Sequence, residues 1–321
     1  MKFSVVTPLW QDRAPGENLA IAQLADRQGF EELWIGEMAT YDAFAFATAV
    51  TLKTQDIQLT VGPLAVAART PMTIAMGVAS VADLGDRQTN VALGASSLVV
   101  IEQWHGREHA HSATRLDETA QILRTLLDGE KAFFSGKQAS CRGYRLRLAA
   151  PQSSITIAAF APGAVRAAAR RADRMLLNMV TPSSLERLRR QLTGEARQCQ
   201  RNMPRVAVWL PCALDPAPET VDQLKRAVVG YLAAPGYGEM MMEAGFADLV
   251  SYARSRPHPR DLLAAMPDEL IAAIGLVGDR AHIRDRIAEY KAAGADEICL
   301  VPATAGDPLG ECSLNCIPGL N

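Results

Sequence analysis

The sequence predicts an α/β fold, a closed (β/α)8 (TIM) barrel carrying two insertions. Three observations point to it. Eight short apolar runs alternate with helical patterns from residue 3 to residue 301, the order that builds a parallel sheet covered by helices. No Gly-x-Gly-x-x-Gly and no Gly-Lys-Ser/Thr stretch marks a dinucleotide fold or a P-loop. No composition break divides the 321 residues into halves, and at 49% hydrophobic and 21% charged they bury a large core.

The elements follow in order. Residues 3–7 form a β-rich run, and 17–29 a helix with Leu19, Ile21, Ala22 and Leu24 on its apolar face and Gly29 as its stop. Strand two is 33–35 and helix two 43–53. Strand three is 57–66, followed by helix 71–83 with Pro71 in its first turn. Strand four is 90–93 and its helix 114–127. Residues 132–148, with Phe133, Phe134, Tyr144 and a Ser135-Gly136 turn, read as a hairpin, so an insertion is expected near 130–150. Strands 155–160, 175–178 and 206–210 then alternate with helices 162–172, 182–199 and 221–232. A second, helical insertion at 236–275 holds Met240-Met241-Met242 and Pro257-His258-Pro259. Helix 281–293 and the eighth strand, 297–301, complete one domain spanning 1–321. The remaining residues are too irregular to predict an eighth helix, so barrel closure is expected to be unusual.

A net charge of −2 provides no general attraction for nucleic acid or an anionic membrane. The apolar start, residues 1–8, is too short for a signal peptide, and no apolar run is long enough to span a bilayer. Six cysteines, at 141, 199, 212, 299, 312 and 316, include no Cys-x-x-Cys pair, which fits reduced thiols in a cytoplasm. Cys312 and Cys316 find no support from the five scattered histidines, so no metal is expected. The expected partner is a small molecule, with a second copy of the chain completing a homodimer.

In such a barrel the site lies where strands end at their C-termini. Leu9, Trp10, Gln11 and Asp12 follow strand one, and Glu37, Tyr41 and Asp42 follow strand two. After strand four comes Gly94-Ala95-Ser96-Ser97, leading to Trp104-His105-Gly106; after strand five comes Phe160-Ala161-Pro162-Gly163-Ala164. Both turns offer free N–H groups to an anion. Each also reads as a plain strand-to-helix turn, the second simply started by proline.

Taken together, Trp34 to Phe44, Val61-Gly62-Pro63-Leu64, Ala68-Arg69-Thr70-Pro71 and Leu93 to Gly106 resemble the bacterial luciferase-like superfamily. Within it they most resemble the coenzyme F420-dependent oxidoreductases of actinobacteria. The resemblance covers residues 1 to about 182 and, more weakly, 278–302. It implies a deazaflavin lying across the C-terminal mouth, its phosphate held near the loops of strands four and five. It also implies a non-proline cis peptide around Leu64, Ala65 and Val66. Flavin monooxygenases of the superfamily resemble one another in a histidine at the end of strand two, where this chain has Glu37-Met38. That substitution favours hydride transfer between the deazaflavin and a small organic substrate over oxygen chemistry. Glu37 is the first candidate for moving the substrate proton, then Asp42, then His105; Trp104 would shape the pocket. Against this, Glu37 reads equally as a loop anchor and His105 as packing beside Trp104.

Two departures from the pattern stand out. Ala161 replaces a glycine, and Ala172-Asp173-Arg174 replaces Ala-Asp-Gly, so backbone freedom is lost at both. Arg174 either serves an anionic cofactor tail or is solvated. Two alternatives therefore accompany the F420 reading: an FMN-dependent monooxygenase and a non-catalytic cofactor-binding barrel. Tyr237, Met240 and Phe246 of the second insertion are expected to roof the pocket or to form a dimer contact.

Overall fold

The computed structural model describes residues 1–321 except Leu9 and Gln11. Its strands are β1 (Lys2–Val6), β2 (Glu32–Ile35), β3 (Gln58–Ala65), β4 (Thr89–Gly94), β5 (Lys131–Ser135), β6 (Ser140–Arg145), β7 (Ile155–Ala158), β8 (Arg174–Asn178), β9 (Arg205–Leu214), β10 (Leu276–Gly278) and β11 (Glu297–Pro302). Eight of them pair in the order β1-β2-β3-β4-β7-β8-β9-β11 and return to β1, all parallel. Closure is regular, with Phe3 opposite Ile298 and Val5 opposite Leu300. The irregular tail also folds. Helix Glu311–Cys316 forms because the Asp307 carboxylate accepts the Cys312 and Ser313 amides at 3.0 and 3.1 Å, and the Leu214 amide donates to Ser313 Oγ.

Both insertions form. β5 and β6 make an antiparallel hairpin, tied to helix Ser112–Leu127 because Glu118 accepts the amides of Lys137, Gln138 and Ala139 at 2.7–2.8 Å. The second insertion is the helices Tyr237–Met241, Ala247–Arg254, Pro259–Ala265 and Asp268–Ile274. It ends in β10, which pairs with the end of β9 and was not legible as a strand.

Strand side chains alternate between the helix layer and the barrel interior. Outward residues such as Val5, Leu33, Leu59, Val91, Ile157 and Met175 join the main core under the helices. Inward residues stack in layers, the middle one holding Val6, Trp34, Ala92, Leu176, Ala207 and Cys299. At the N-terminal end the filling is polar. Arg174 reaches Glu32 at 2.7 Å, Glu297 at 2.6 Å, Thr60 at 3.1 Å and Thr156 at 3.2 Å, and its guanidinium lies 4.2 Å from the centre of the Trp34 ring. Ser4 donates to Glu297, and Lys2 reaches Glu32 at 2.8 Å from the rim. Two carboxylates thus face two cations, which is how a charge survives burial. Burial pushes the Glu32 carboxyl up, but the Arg174 and Lys2 cations outweigh it and hold it down to about 2.

Arg174 is therefore neither solvated nor near a cofactor tail: at 1% exposure it plugs the barrel floor. Ala161 costs no conformational freedom either, since its backbone is extended (φ −73°, ψ 150°). The cis bond also differs from expectation. It falls at Gly62-Pro63, a prolyl bond, and not among Leu64, Ala65 and Val66; a tertiary amide tolerates the cis form far better than a secondary one.

Candidate active site

The C-terminal mouth is the open end of the barrel. Inward residues of the lower layers are fully buried, whereas Ala158, Asn178, Trp209 and Val301 above them are half-buried. Surface hollows lined by Asp128, Gly129 and Arg145–Arg147, and by Met1–Phe3 and Gln28–Glu31, lie at the other end. In this fold that end carries stability and not chemistry.

On the β2 and β3 side a charged cluster forms. Arg69 donates to Glu37 from Nε at 2.9 Å and from Nη2 at 2.5 Å, and also to Asp42. Glu37 additionally accepts the Ala43 amide at 3.1 Å. Asp42 caps helix Ala43–Thr51, accepting the Phe44 and Ala45 amides at 3.0 Å. Burial raises the Asp42 carboxyl, but those amides and Arg69 outweigh it and hold it below its usual range. Arg69, which also lies 5.3 Å from the Phe44 ring centre, was missed as a site residue. Its place beside Thr70-Pro71 was visible, but two carboxylates brought to one guanidinium from a distant strand end were not.

On the β3 and β4 side the register slips between Val61 and Leu64, a bulge that turns Pro63 and Ala65 toward the mouth. Leu64 and Val66 are buried in the core under the helices, so of the three expected residues only Ala65 sits half-exposed at the rim. Gly94 is buried, and a Cβ there would stand 3.1 Å from Pro63 Cβ. Ala95 is half-buried; Ser96 adopts φ +62°, with its carbonyl oxygen 3.1 Å from His109 Nε2. Ser97 Oγ accepts the Val100 amide and so starts the π-helical turn Val99–Trp104. Trp104 and His105 end that turn exposed, Trp104 at 55%. His109, not His105, is the histidine that touches the loop.

After β7, Phe160 is half-buried and Ala161 caps helix Pro162–Arg171, with Pro162 exposed at its first position. Ala164 is buried. Gly163 makes room for a helix instead of a ligand: a Cβ would meet Ala113 Cβ at 2.8 Å. Over Phe160 lies Tyr237, with ring centres 4.9 Å apart, and Tyr231 packs edge-on against Tyr237 at the same distance. The second insertion thus reaches the mouth through Tyr237, while Met240 is buried in the core.

The expected candidates are therefore separated. Glu37 and Asp42 share one arginine, His105 stands apart in solvent, and the small residues Ala65, Gly94 and Ala158 lie on adjacent strand ends, Gly94 being the register partner of Ala65 and a Cβ on it standing 3.9 Å from Ala158 Cβ. Of the residues read after strand one, Leu9 and Gln11 lie outside the described residues. Trp10 Nε1 donates to the Pro302 carbonyl at 2.9 Å, and Asp12 pairs with Arg226. All six cysteines are free thiols. No helix among the described residues is long and apolar enough to cross a membrane.

Known proteins share this fold. The chain is 22% identical to a 5,10-methylenetetrahydromethanopterin reductase of Methanolobus tindarius, over 90% of this chain and 89% of that one. It is 23% identical to a putative coenzyme F420-dependent oxidoreductase of Mycobacterium tuberculosis, over 95% of each. The coenzyme F420-dependent tetrahydromethanopterin reductase of Methanopyrus kandleri superposes over the whole of both chains with a TM-score of 0.83 at 17% identity. An FMN-bound type II Baeyer–Villiger monooxygenase component from Pseudomonas putida superposes with a TM-score of 0.70 at 17% identity, over 98% of this chain and 96% of that one. Residues 1–297 match the luciferase-like monooxygenase family as a whole, and with the closed barrel and its C-terminal mouth this establishes that the chain belongs to that family.

Proposed function

We propose that the chain is an F420-dependent oxidoreductase that passes a hydride between the deazaflavin and a small organic substrate. The observation that carries this reading is the Glu37–Arg69–Asp42 cluster at the end of β2, where the resemblance to FMN monooxygenases calls for a histidine. Both curated relatives described above act on, or are named for, F420-linked or methanopterin chemistry, which supports the same choice. The residues at the mouth fit such a ring. Ala65, Ala95 and Ala158 rise no higher than a methyl group, and they are half-exposed together. The bound deazaflavin would supply or accept the hydride. The chain's own residues would hold it: Ala65 and Ala95 at the mouth, and the turns Gly94–Ser97 and Phe160–Ala164, whose amide N–H groups would serve its phosphate.

Isothermal titration tests this directly. F420 is expected to bind more tightly than FMN; a clear preference for FMN, or oxygen consumption with reduced flavin, overturns the reading.

Glu37 is assigned the anchoring role in this proposal. Both of its oxygens accept hydrogen bonds, from Arg69 and from the Ala43 amide, which tie the end of β2 to the start of the following helix. Glu37→Gln is then expected to lower cofactor affinity by loosening Arg69, with turnover at saturation falling by less than the roughly 10²–10⁴-fold of a lost general acid. Steady-state kinetics at saturating cofactor decide it, and a loss within that range returns the proton to Glu37. The reading also takes the chain as one working unit with both insertions, in the cytoplasm, and as a homodimer. Exposed Leu52, Met76 and Leu84 on neighbouring helices support the last point, with Met76 and Leu84 two turns apart on one face.

A further inference from the structure

The two halves of the mouth differ in chemistry. Charge gathers on one side, in Glu37, Asp42 and Arg69. The other side, built on β7, β8 and β9, presents Phe160, Asn178 and Trp209 under Tyr231 and Tyr237, and none of these is charged. Asn178 and Trp209 are register partners on adjacent strands. Both face the barrel interior, since Leu176 and Ala207, two residues earlier on each strand, do so. The Asn178 amide lies beside the Tyr231 and Tyr237 hydroxyls, and burial pushes both phenols up, so they remain neutral. Trp209 packs edge-on against Trp34 at 5.7 Å. Its ring is half-buried at the mouth, yet its Nε1 is buried with no hydrogen-bond partner among the described residues. A buried N–H without an acceptor is destabilising, and the half-buried ring that carries it reaches the mouth.

Resting on the cofactor reading above, we propose that this wall is the substrate subsite. It takes an uncharged, flat molecule with one hydrogen-bond acceptor of the ketone type. The Trp209 N–H receives the acceptor, and the tilted Phe160–Tyr237 pair supports the plane of the molecule. An ionised substituent placed here would lose its water with no countercharge on the wall to replace it. The specificity-determining residues are therefore Trp209 and Tyr237.

The test uses acetophenone and 4-acetylbenzoate, an aryl ketone without and with a carboxylate, titrated calorimetrically into the full chain with and without F420. Acetophenone is expected to bind at least about tenfold more tightly than 4-acetylbenzoate. Trp209→Phe keeps a ring but deletes the N–H, and is expected to weaken acetophenone about three- to tenfold. Tyr237→Ala is expected to weaken it through loss of the wall, while Tyr237→Phe, which keeps the plane, binds as the wild type does. Circular dichroism confirms that each variant is folded, and the probe ratio in the wild-type chain stands even if one variant is not. Equal affinity for the two probes, wild-type affinity in both Trp209→Phe and Tyr237→Ala, or no acetophenone binding up to its solubility overturns the subsite. If F420 fails to bind while the probe preference and the variant effects persist, the cofactor reading falls and the subsite stands.

Discussion

Arg174→Leu is expected to destabilise the protein by about 3–5 kcal/mol, the cost of removing one partner from a buried ion pair. The leucine would leave Glu32 and Glu297, each about 3% exposed, facing each other across the barrel floor with only Lys2 at the rim. The pH dependence should reverse as well. In the wild type the Glu32 carboxyl is held at about 2 in place of its usual 4.5. A depressed value means stability that is fully present above the unfolded value and lost as pH falls from about 4.5 through about 2. This amounts to about 3 kcal/mol at neutral pH. Without Arg174, burial is left to dominate Glu32 and raises its pKa, so the variant should gain stability as pH falls toward 4 where the wild type begins to lose it. Urea denaturation at neutral, mildly acidic and strongly acidic pH reads both effects. A variant as stable as the wild type at neutral pH would show that the network contributes nothing net.

Gly62→Ala is expected to be the most damaging substitution that adds a single carbon at the mouth. Gly62 has φ +123°, and a Cβ there would stand 2.2 Å from the Ala92 carbonyl oxygen and 2.8 Å from the Leu64 nitrogen. Both obstacles are backbone, one of them on the neighbouring β4, so neither can rotate away. The strands must part at the bulge that turns Pro63 and Ala65 to the mouth. A loss of about 3 kcal/mol or more is expected, together with weakened cofactor binding. Gly94→Ala is the control, since its Cβ would stand 3.1 Å from Pro63 Cβ and at ordinary contact, 3.9 Å, from Ala158 Cβ and the Ser96 nitrogen. Chemical denaturation of the pair checks this, and a Gly62→Ala loss within about 0.5 kcal/mol of the wild type, typical of an indifferent surface change, would refute it.

Much of the barrel was legible because periodicity is local. Continuous apolar runs such as residues 33–35 and 206–210 are what strands covered on both faces require, and prolines at 71, 162 and 182 mark the starts of three helices. The three-residue β10 was too short for any pattern, and the tail after residue 302 carries no apolar period because capping by Asp307 builds its helix. The end of β4 and the turn after β7 read as candidate site elements, since small residues at a strand end mark close backbone approach. The fate of individual side chains there was not. The bulge at Gly62 shifts the alternation by one, so Pro63 takes the place at the mouth that unbroken counting gives to Leu64.

What the sequence determined by itself, then, is the order of the elements and the family resemblance, both of which depend on residues near one another in the chain. Only the tertiary structure decided the partners of the charges. Arg174 meets Glu32 and Glu297 across 142 and 123 residues of chain, and Arg69 meets Glu37 across 32. Whether an arginine is solvated, bound to a ligand or locked in a floor depends on which carboxylates the closed barrel brings within hydrogen-bonding distance. That is set by strand register and closure, and no local spacing records it.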